Sequence, residues 1–475
     1  MDVYHDLVDD KRMITATGFR FTYENSRASS LLIENLQISS GQLVVLCGKS
    51  GSGKSTFLRL INGLIPDYYE GKLEGQLEIA DQLAGKQTVE ECSKQVASVF
   101  QNPSSQFFHK YVKHELVLPG ENHGQSAAEI LNKLEKLTAD FALEDYLERD
   151  LSTLSGGEKQ RIALLTALMQ DTDILVLDEP TANLDRSGIE QVASYLSILK
   201  QEGKTILIAE HRLDYLKDLA DRYLYFDQGV LKRDYSKKEF DSLTETERHD
   251  LGLRSQDLSS SISKLEAKKQ IAPSPLTGDL TIKNLRLQAG DQELSFLEEA
   301  NFKSGAITAL VGPNGKGKST LAFYLAGLLD DEEADFYLDG QALSAHDRLK
   351  QTAFVLQEVA LQLFSDSVQK ELTLGLKKAV DASNILENLG LKGLEERHPM
   401  TLSGGEMQRL VIASQVLTKK RVFIFDEPSS GLDYQQMLQV ADLLKVLKEQ
   451  GKIILLISHD EELLEKTADY FLTLN

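Results

Sequence analysis

Only two cysteines, Cys47 and Cys92, occur among 475 residues. Two thiols build neither a disulfide framework nor a cysteine metal site, and a reducing compartment is the simplest setting. Long apolar runs are lacking as well. The longest, such as the stretch from Lys452 to Ser458, are strand-length, far short of the roughly 18–20 residues that a membrane helix needs. The opening MDVYHDLVDD is acidic and has no apolar core, so it does not read as a secretory leader. Basic residues are in deficit: 52 Lys and Arg face 73 Asp and Glu, for a formal net charge of −21. A surface this acidic repels phosphate backbones, so nucleic acid is not an expected partner. The 41% hydrophobic and 26% charged content is ordinary for a globular chain, and the length allows two or three domains, each with its own core.

What is present begins with VVLCGKSGSGKSTFL. A glycine, four residues, then Gly-Lys and Ser or Thr is the phosphate-cradling spacing, met by Gly48, Gly53, Lys54 and Ser55. It recurs in TALVGPNGKGKSTLA, with Gly312, Gly317, Lys318 and Ser319. Such glycines turn backbone N–H groups inward around phosphates, and the helix that follows adds its positive end. The candidate nucleotide-binding residues of the first loop are therefore Gly48, Lys49, Ser50, Gly51, Ser52, Gly53, Lys54, Ser55 and Thr56. Those of the second are Gly312, Pro313, Asn314, Gly315, Lys316, Gly317, Lys318, Ser319 and Thr320. Lys54 is expected on the β and γ phosphates, and Ser55 and Ser319 on Mg²⁺.

The two loops lie 264 residues apart, Gln101 and Gln357 are 256 apart, and three further features repeat at 248: LSGGEKQR and LSGGEMQR, Asp178 and Asp426, and His211 and His459. One fold has been duplicated, with about sixteen residues fewer between loop and LSGGE in the second copy. Each copy alternates Val/Ile/Leu-rich strands with amphipathic helices, which predicts an α/β domain around a mostly parallel sheet. The expected division is a first domain over 1–235, a linker over 236–278 ending in APSPLTGD, and a second domain over 279–475.

Asp178 and Asp426 end buried strands, where an acidic group completes a metal shell. Glu179 and Glu427 follow them and are candidates to polarise the attacking water. His211 and His459 each lie 33 residues past their aspartates, which favours a γ-phosphate contact. Ser155, Gly156 and Gly157, with Ser403, Gly404 and Gly405, start helices that can donate to an anion.

With LSGGE in register with these motifs, both halves resemble ATP-binding cassette (ABC) ATPase domains over residues 12–232 and 279–475. The resemblance implies, in each half, a mostly parallel central sheet, an antiparallel β subdomain and a helical subdomain. It also implies ATP and Mg²⁺, with Gln101 and Gln357 at nucleotide and metal, and an intramolecular dimer in which the signature of one half closes on the loop of the other. Asp185 and Asp433 match the D-loop. Tyr23 resembles the aromatic that stacks on adenine, and a core role is the alternative. The second copy has no aromatic at the corresponding place, and Lys316 stands where a small residue is usual. The run VFQNPSSQFFHKYVKHELVLPGEN, looser in copy two, resembles ATPases of energy-coupling factor (ECF) importers of vitamins and metals. That likeness implies integral membrane transport subunits as partners, attachment to the cytoplasmic face of the membrane, and contact through Gln106, Phe107 and Phe108, for which core packing is the alternative. Fusion of two ATPases resembles proteins linked to thiamine-precursor uptake. The rival reading is a soluble tandem ABC protein acting on ribosomes or nucleic acid.

Overall fold

The computed structural model describes residues 11–24, 29–182, 184–271, 277–290, 292–376 and 382–474. The acidic first ten residues and the Pro-Ser-Pro part of the expected linker lie outside them. The chain divides into two units, Met1–Gln256 and Asp257–Asn475.

In the first unit five parallel strands pair in the order Val96–Val99, Ile174–Asp178, Thr205–Ala209, Leu43–Gly48, Arg222–Asp227. The second unit repeats that order with Thr352–Val355, Val422–Asp426, Ile453–Ile457, Ala306–Val311 and Tyr470–Thr473. Continuous apolar strands follow from burial on both faces, with side chains alternating between them. Leu43, Val45 and Cys47 enter one core, which contains the helices Gly156–Met169 and Arg186–Gln201. Val44 and Leu46 enter the other, with Phe57 and Ile61 of the helix Lys54–Ile61. Ile307 and Ala309 part from Leu310 in the same way in the second unit.

An antiparallel subdomain flanks each parallel sheet. In the first unit it comprises Arg12–Tyr23, Leu31–Ser39 and Gly71–Ile79. In the second it comprises Leu280–Ala289, Gln292–Phe302 and Asp335–Leu338. Gly18 and Asn284 hold the same left-handed kink, both at φ 53°, and this fixes the register between copies. Tyr23 thereby corresponds to Ala289. The sixteen missing residues are accounted for locally. Part comes out of the third antiparallel strand, nine residues against four. Three more come out of the connection from Gln82–Leu83 to Val96, shorter between Gln341–Ala342 and Thr352, and the remaining eight out of the helical subdomain, where Val112–Asn122 and Ala127–Phe141 become Val368–Thr373 and Ser383–Asn388. In the first unit Val230–Ser236 also pairs with Arg222–Asp227 and bridges to Leu32, joining ten strands into one sheet.

Most of the segment expected to be a linker is folded. Lys237–Asp241 and Glu245–Asp250 are short helices, opened by reciprocal caps between Ser236 and Glu239 and between Thr244 and Glu247. Phe240 anchors them, stacked on Tyr223 at 3.8 Å between centroids and fully buried. Arg248 donates to the Phe240 carbonyl at 3.0 Å and to Gln256 at 2.9 Å, and Gln256 donates to Tyr223 and Asp241. This stretch therefore belongs to the first unit. Ser259–Ile271 is a helix of the second, held by Lys264 on Glu465 at 2.8 Å and by buried Leu265. The polar composition suggested a tether, but a few apolar anchors are enough to fold it.

Candidate functional site

Both strands that lead into the glycine loops end in a conformation only glycine adopts freely: φ is 138° at Gly48 and 147° at Gly312. A Cβ at either position would also overlap a carbonyl oxygen, that of Phe226 or of Leu474. The helices that follow, Lys54–Ile61 and Lys318–Ala326, start after left-handed Gly53 and Gly317 with no side-chain cap. A helix start of this kind suits an anion. Lys54 Nζ curls over its own loop, donating to the carbonyls of Gly48 at 2.9 Å and Lys49 at 3.1 Å. Lys318 Nζ does the same with Gly312 at 2.8 Å and Pro313 at 3.0 Å, and reaches Asn314 Oδ1 at 3.4 Å. Ser52 is buried in the first loop; Lys316 takes its place in the second, and nothing in the structure accounts for a lysine there.

The expected metal ligands are brought together from distant parts of the chain. Ser55 Oγ donates to Asp178 Oδ1 at 3.1 Å and Ser319 Oγ to Asp426 Oδ2 at 2.8 Å. A hydroxyl beside a carboxylate is a hard-oxygen pair that suits Mg²⁺, which takes its other ligands from phosphate and water. No cluster of three or more His, Cys, Asp or Glu side chains that could hold a metal occurs among the described residues. Burial raises the carboxyls of Asp178 and Asp426 above the usual range, opposed in each by the serine hydroxyl and the loop lysine.

Glu179 and Glu427 leave their strands with left-handed backbones, φ 47° and 48°. Two non-glycine residues at equivalent positions in this sparsely populated region mark a shape held by its surroundings. Burial, then the neighbouring Asp178 carboxylate, push Glu179 up to about 8. Gln101 Nε2 donates to Glu179 Oε2 at 2.7 Å, and His211 Nε2 lies 3.5 Å from Glu179 Oε1 and from Lys54 Nζ. Burial, followed by Lys54 and Arg254, holds His211 well below its ordinary value, so its ring is neutral at physiological pH. In the second unit His459 Nε2 lies 3.2 Å from Asn314 Oδ1 and 3.9 Å from Glu427 Oε1. Gln357 stands just past its strand, Thr352–Val355, as Gln101 does past Val96–Val99.

Tyr23 stands beside the first loop's helix, its hydroxyl 3.1 Å from Thr56 Oγ1 and its ring edge-on to Phe21 at 4.7 Å. Ser155 and Ser403 cap the signature helices and are locked by Glu158 and Glu406, whose carboxylates accept the serine N–H at 2.8 Å in both. No neighbour stands within 4 Å of where a Cβ would project from Gly156 or Gly404. Gly157 and Gly405 are more crowded, by Leu184 and Leu432. Asp185 and Asp433 cap the helices Arg186–Gln201 and Tyr434–Glu449, each accepting an N–H at 2.8 Å.

The expected contact run divides into three roles. Gln106 is a brace, its side chain accepting from Phe100 N at 3.1 Å, and Gln362 repeats this with Leu356 N at 2.8 Å. Phe107 packs against the core, while Phe108 is 82% exposed. Phe364, the counterpart of Phe108, is 78% exposed. Beneath each lies a buried carboxylate that sequence reading passed over. Glu115 accepts from Phe108 N at 2.9 Å and His109 N at 2.8 Å. Glu371 accepts from Phe364 N at 3.0 Å and Ser365 N at 2.7 Å. Phe108 borders a groove of about 500 Å³, whose apolar lining includes Leu64, Phe100, Leu118 and Pro119.

Comparison with known proteins agrees with this geometry. The sequence profile described as ABC transporter matches residues 33–182 and 298–430. A protein of Treponema denticola described as an ABC transporter ATP-binding protein is 37% identical over 468 residues, 98% of this chain and 95% of its own. Among solved structures, an RNase-L inhibitor superposes with a TM-score of 0.64 at 24% identity, covering 96% of this chain and 87% of its own. An archaeal ribosome recycling factor, solved with a ribosomal stalk protein, gives 0.59 at 23%, covering 91% and 83%. At these identities the superpositions speak for the fold. Two phosphate-cradling loops, each with a serine–aspartate metal pair, and a family match across both halves make this chain a member of the ABC transporter ATP-binding family, a tandem ATPase that uses ATP with Mg²⁺.

Proposed function

We propose that the chain is the energising subunit of a membrane importer, of the ECF type for a vitamin, a vitamin precursor or a metal ion, working on the cytoplasmic face of the membrane. The observation that carries this reading is the pair of exposed phenylalanines, Phe108 and Phe364, each at the tip of a loop fastened by a buried glutamate. A large apolar side chain held out by a rigid loop suits insertion into a partner. No helix among the described residues is long and apolar enough to cross a membrane, so membrane subunits supply the transport path in this reading. The T. denticola relative's description points the same way.

Within this reading, Lys54 and Lys318 hold the transferred phosphate, and Glu179 and Glu427 each accept a proton from the attacking water. Gln101 and His211 aim Glu179, and Ser458 and His459 aim Glu427. Mg²⁺, when bound at Ser55 with Asp178 and at Ser319 with Asp426, neutralises charge on the phosphate oxygens. By the family pattern, phosphates on one half's loop also meet Ser403, Gly404 and Gly405, or Ser155, Gly156 and Gly157, of the other half, so ATP draws the halves together. The covalent connection raises the effective concentration of each half for the other.

The rival, a soluble tandem ATPase acting on ribosomes or nucleic acid, has the subject of one structural neighbour behind it, while the net charge of −21 opposes it. Affinity purification of the tagged chain from detergent-solubilised cells tests the choice. Recovery of small hydrophobic membrane proteins, lost when Phe108→Asp and Phe364→Asp are combined while ATPase activity remains, is the expected result. Co-sedimentation with ribosomes, insensitive to those substitutions, contradicts it.

A further inference from the structure

Each unit buries a carboxylate next to its switch histidine, and the two units take it from opposite sides. In the first unit Glu210, directly before His211, is 2% exposed. It accepts from His211 N at 2.8 Å, Arg212 N at 3.2 Å, Thr181 Oγ1 at 2.8 Å and Tyr215 OH at 3.1 Å. Thr181 lies two residues past Glu179. In the second unit the place of Glu210 is held by Ser458 and that of Arg212 by Asp460. Asp460 is buried and accepts from Ser429 Oγ at 2.6 Å, where Ser429 corresponds to Thr181. Its other oxygen accepts Leu463 N at 3.1 Å and caps the helix Glu461–Thr467. The same hydroxyl is thus gripped in both units by a carboxylate one residue from the histidine, before it in one and after it in the other.

We infer that Glu210 and Asp460 are positioning residues for ATP hydrolysis, each fastening the loop of the catalytic glutamate to the loop of the switch histidine. Glu179 and Glu427 hold left-handed backbones that relax unless held. One side of that restraint is a backbone bond, Glu179 N to the Ala209 carbonyl and Glu427 N to the Ile457 carbonyl, both 2.9 Å. The carboxylate–hydroxyl bond supplies the other side. Without it, the loop past the glutamate loses its side-chain tie to the histidine loop, and the 3.5 Å approach of His211 to Glu179 is lost. A shift of roughly 1 Å at a reacting group costs about a hundredfold in rate.

The inference rests on Glu179 and Glu427 being the catalytic carboxylates, and a Glu179→Gln control reports on that separately. The test uses the full chain carrying Glu427→Gln, so that the first unit alone turns over. Glu210→Ser is expected to lower kcat by about tenfold or more, with KM for ATP changed by less than about threefold. Adding Arg212→Asp recreates the Ser-His-Asp order of the second unit and is expected to restore kcat to within about threefold of the starting chain. If Glu210→Ser does not fold, Thr181→Val removes only the gripped hydroxyl and is expected to lower kcat in the same direction. An unchanged kcat in either single variant overturns the inference. So does a paired variant that melts at the starting temperature yet stays as slow as Glu210→Ser.

Discussion

The two loops bind phosphates alike but not bases. In the first unit Tyr23 stands against the loop helix, hydrogen-bonded to Thr56 at 3.1 Å and propped by Phe21. Ala289 holds that register in the second, so the ring that Tyr23 offers has no counterpart at this position. Stacking of a base on an aromatic side chain contributes about 1–3 kcal/mol, and 1.4 kcal/mol is tenfold in affinity. The first site is therefore expected to prefer MgATP over magnesium tripolyphosphate by about 5- to 150-fold more than the second. Guanine would stack as well as adenine, so the baseless probe is the informative one. Competition against a fluorescent nucleotide measures each site alone, using Lys318→Ala to leave the first site and Lys54→Ala to leave the second. Tyr23→Phe keeps the preference, because it loses only the hydroxyl bond; Tyr23→Ala brings the first site down to the second. Equal preferences in the two parent variants, or a Tyr23→Ala variant indistinguishable from its parent, refute the reasoning.

Other expectations follow from the same geometry. Glu179→Gln and Glu427→Gln each reduce steady-state ATPase activity by half or more while ATP binding persists, and an unchanged rate in either removes that glutamate from catalysis. Phe240→Ala opens a cavity under the stacked Tyr223 at a cost of about 3–5 kcal/mol. By calorimetry this lowers the first unit's melting temperature by roughly 6–20 °C, whereas a mere tether would melt unchanged. Burial pushes the Cys47 thiol up to about 12, so at pH 8 the folded protein resists maleimide labelling there and labels only on unfolding. Rapid labelling of native protein at Cys47 contradicts the buried strand.

The parts legible in the sequence were those carried by contiguous residues. Gly48 to Ser55 and its copy prescribe a backbone shape in a single stretch, and the constant 248-residue offset carried the rest of the duplication. What escaped depends on partners far apart in the chain. Glu210 and Asp460 occupy different positions around their histidines, so comparing the copies hides that they grip equivalent hydroxyls. Phe107 and Phe108 look interchangeable until Glu115, seven residues on, grips the Phe108 amide, with Phe107 packed on the core and Phe108 outside it. The 236–256 segment reads as polar because its anchoring depends on a handful of residues, Phe240, Arg248 and Gln256, whose partners lie in an earlier strand and in one another. Gln106 closes a turn on Phe100, a local role that its place in the run did not signal.

The central claim is that one chain carries two working MgATP sites, one in each unit. Equilibrium binding of MgATP to the Glu179→Gln, Glu427→Gln double variant measures it most directly. Two ATP per chain, both falling away in EDTA and one each with Lys54→Ala or Lys318→Ala, is the result expected. A single ATP per chain, or a double variant that still hydrolyses ATP at the parent rate, contradicts the account.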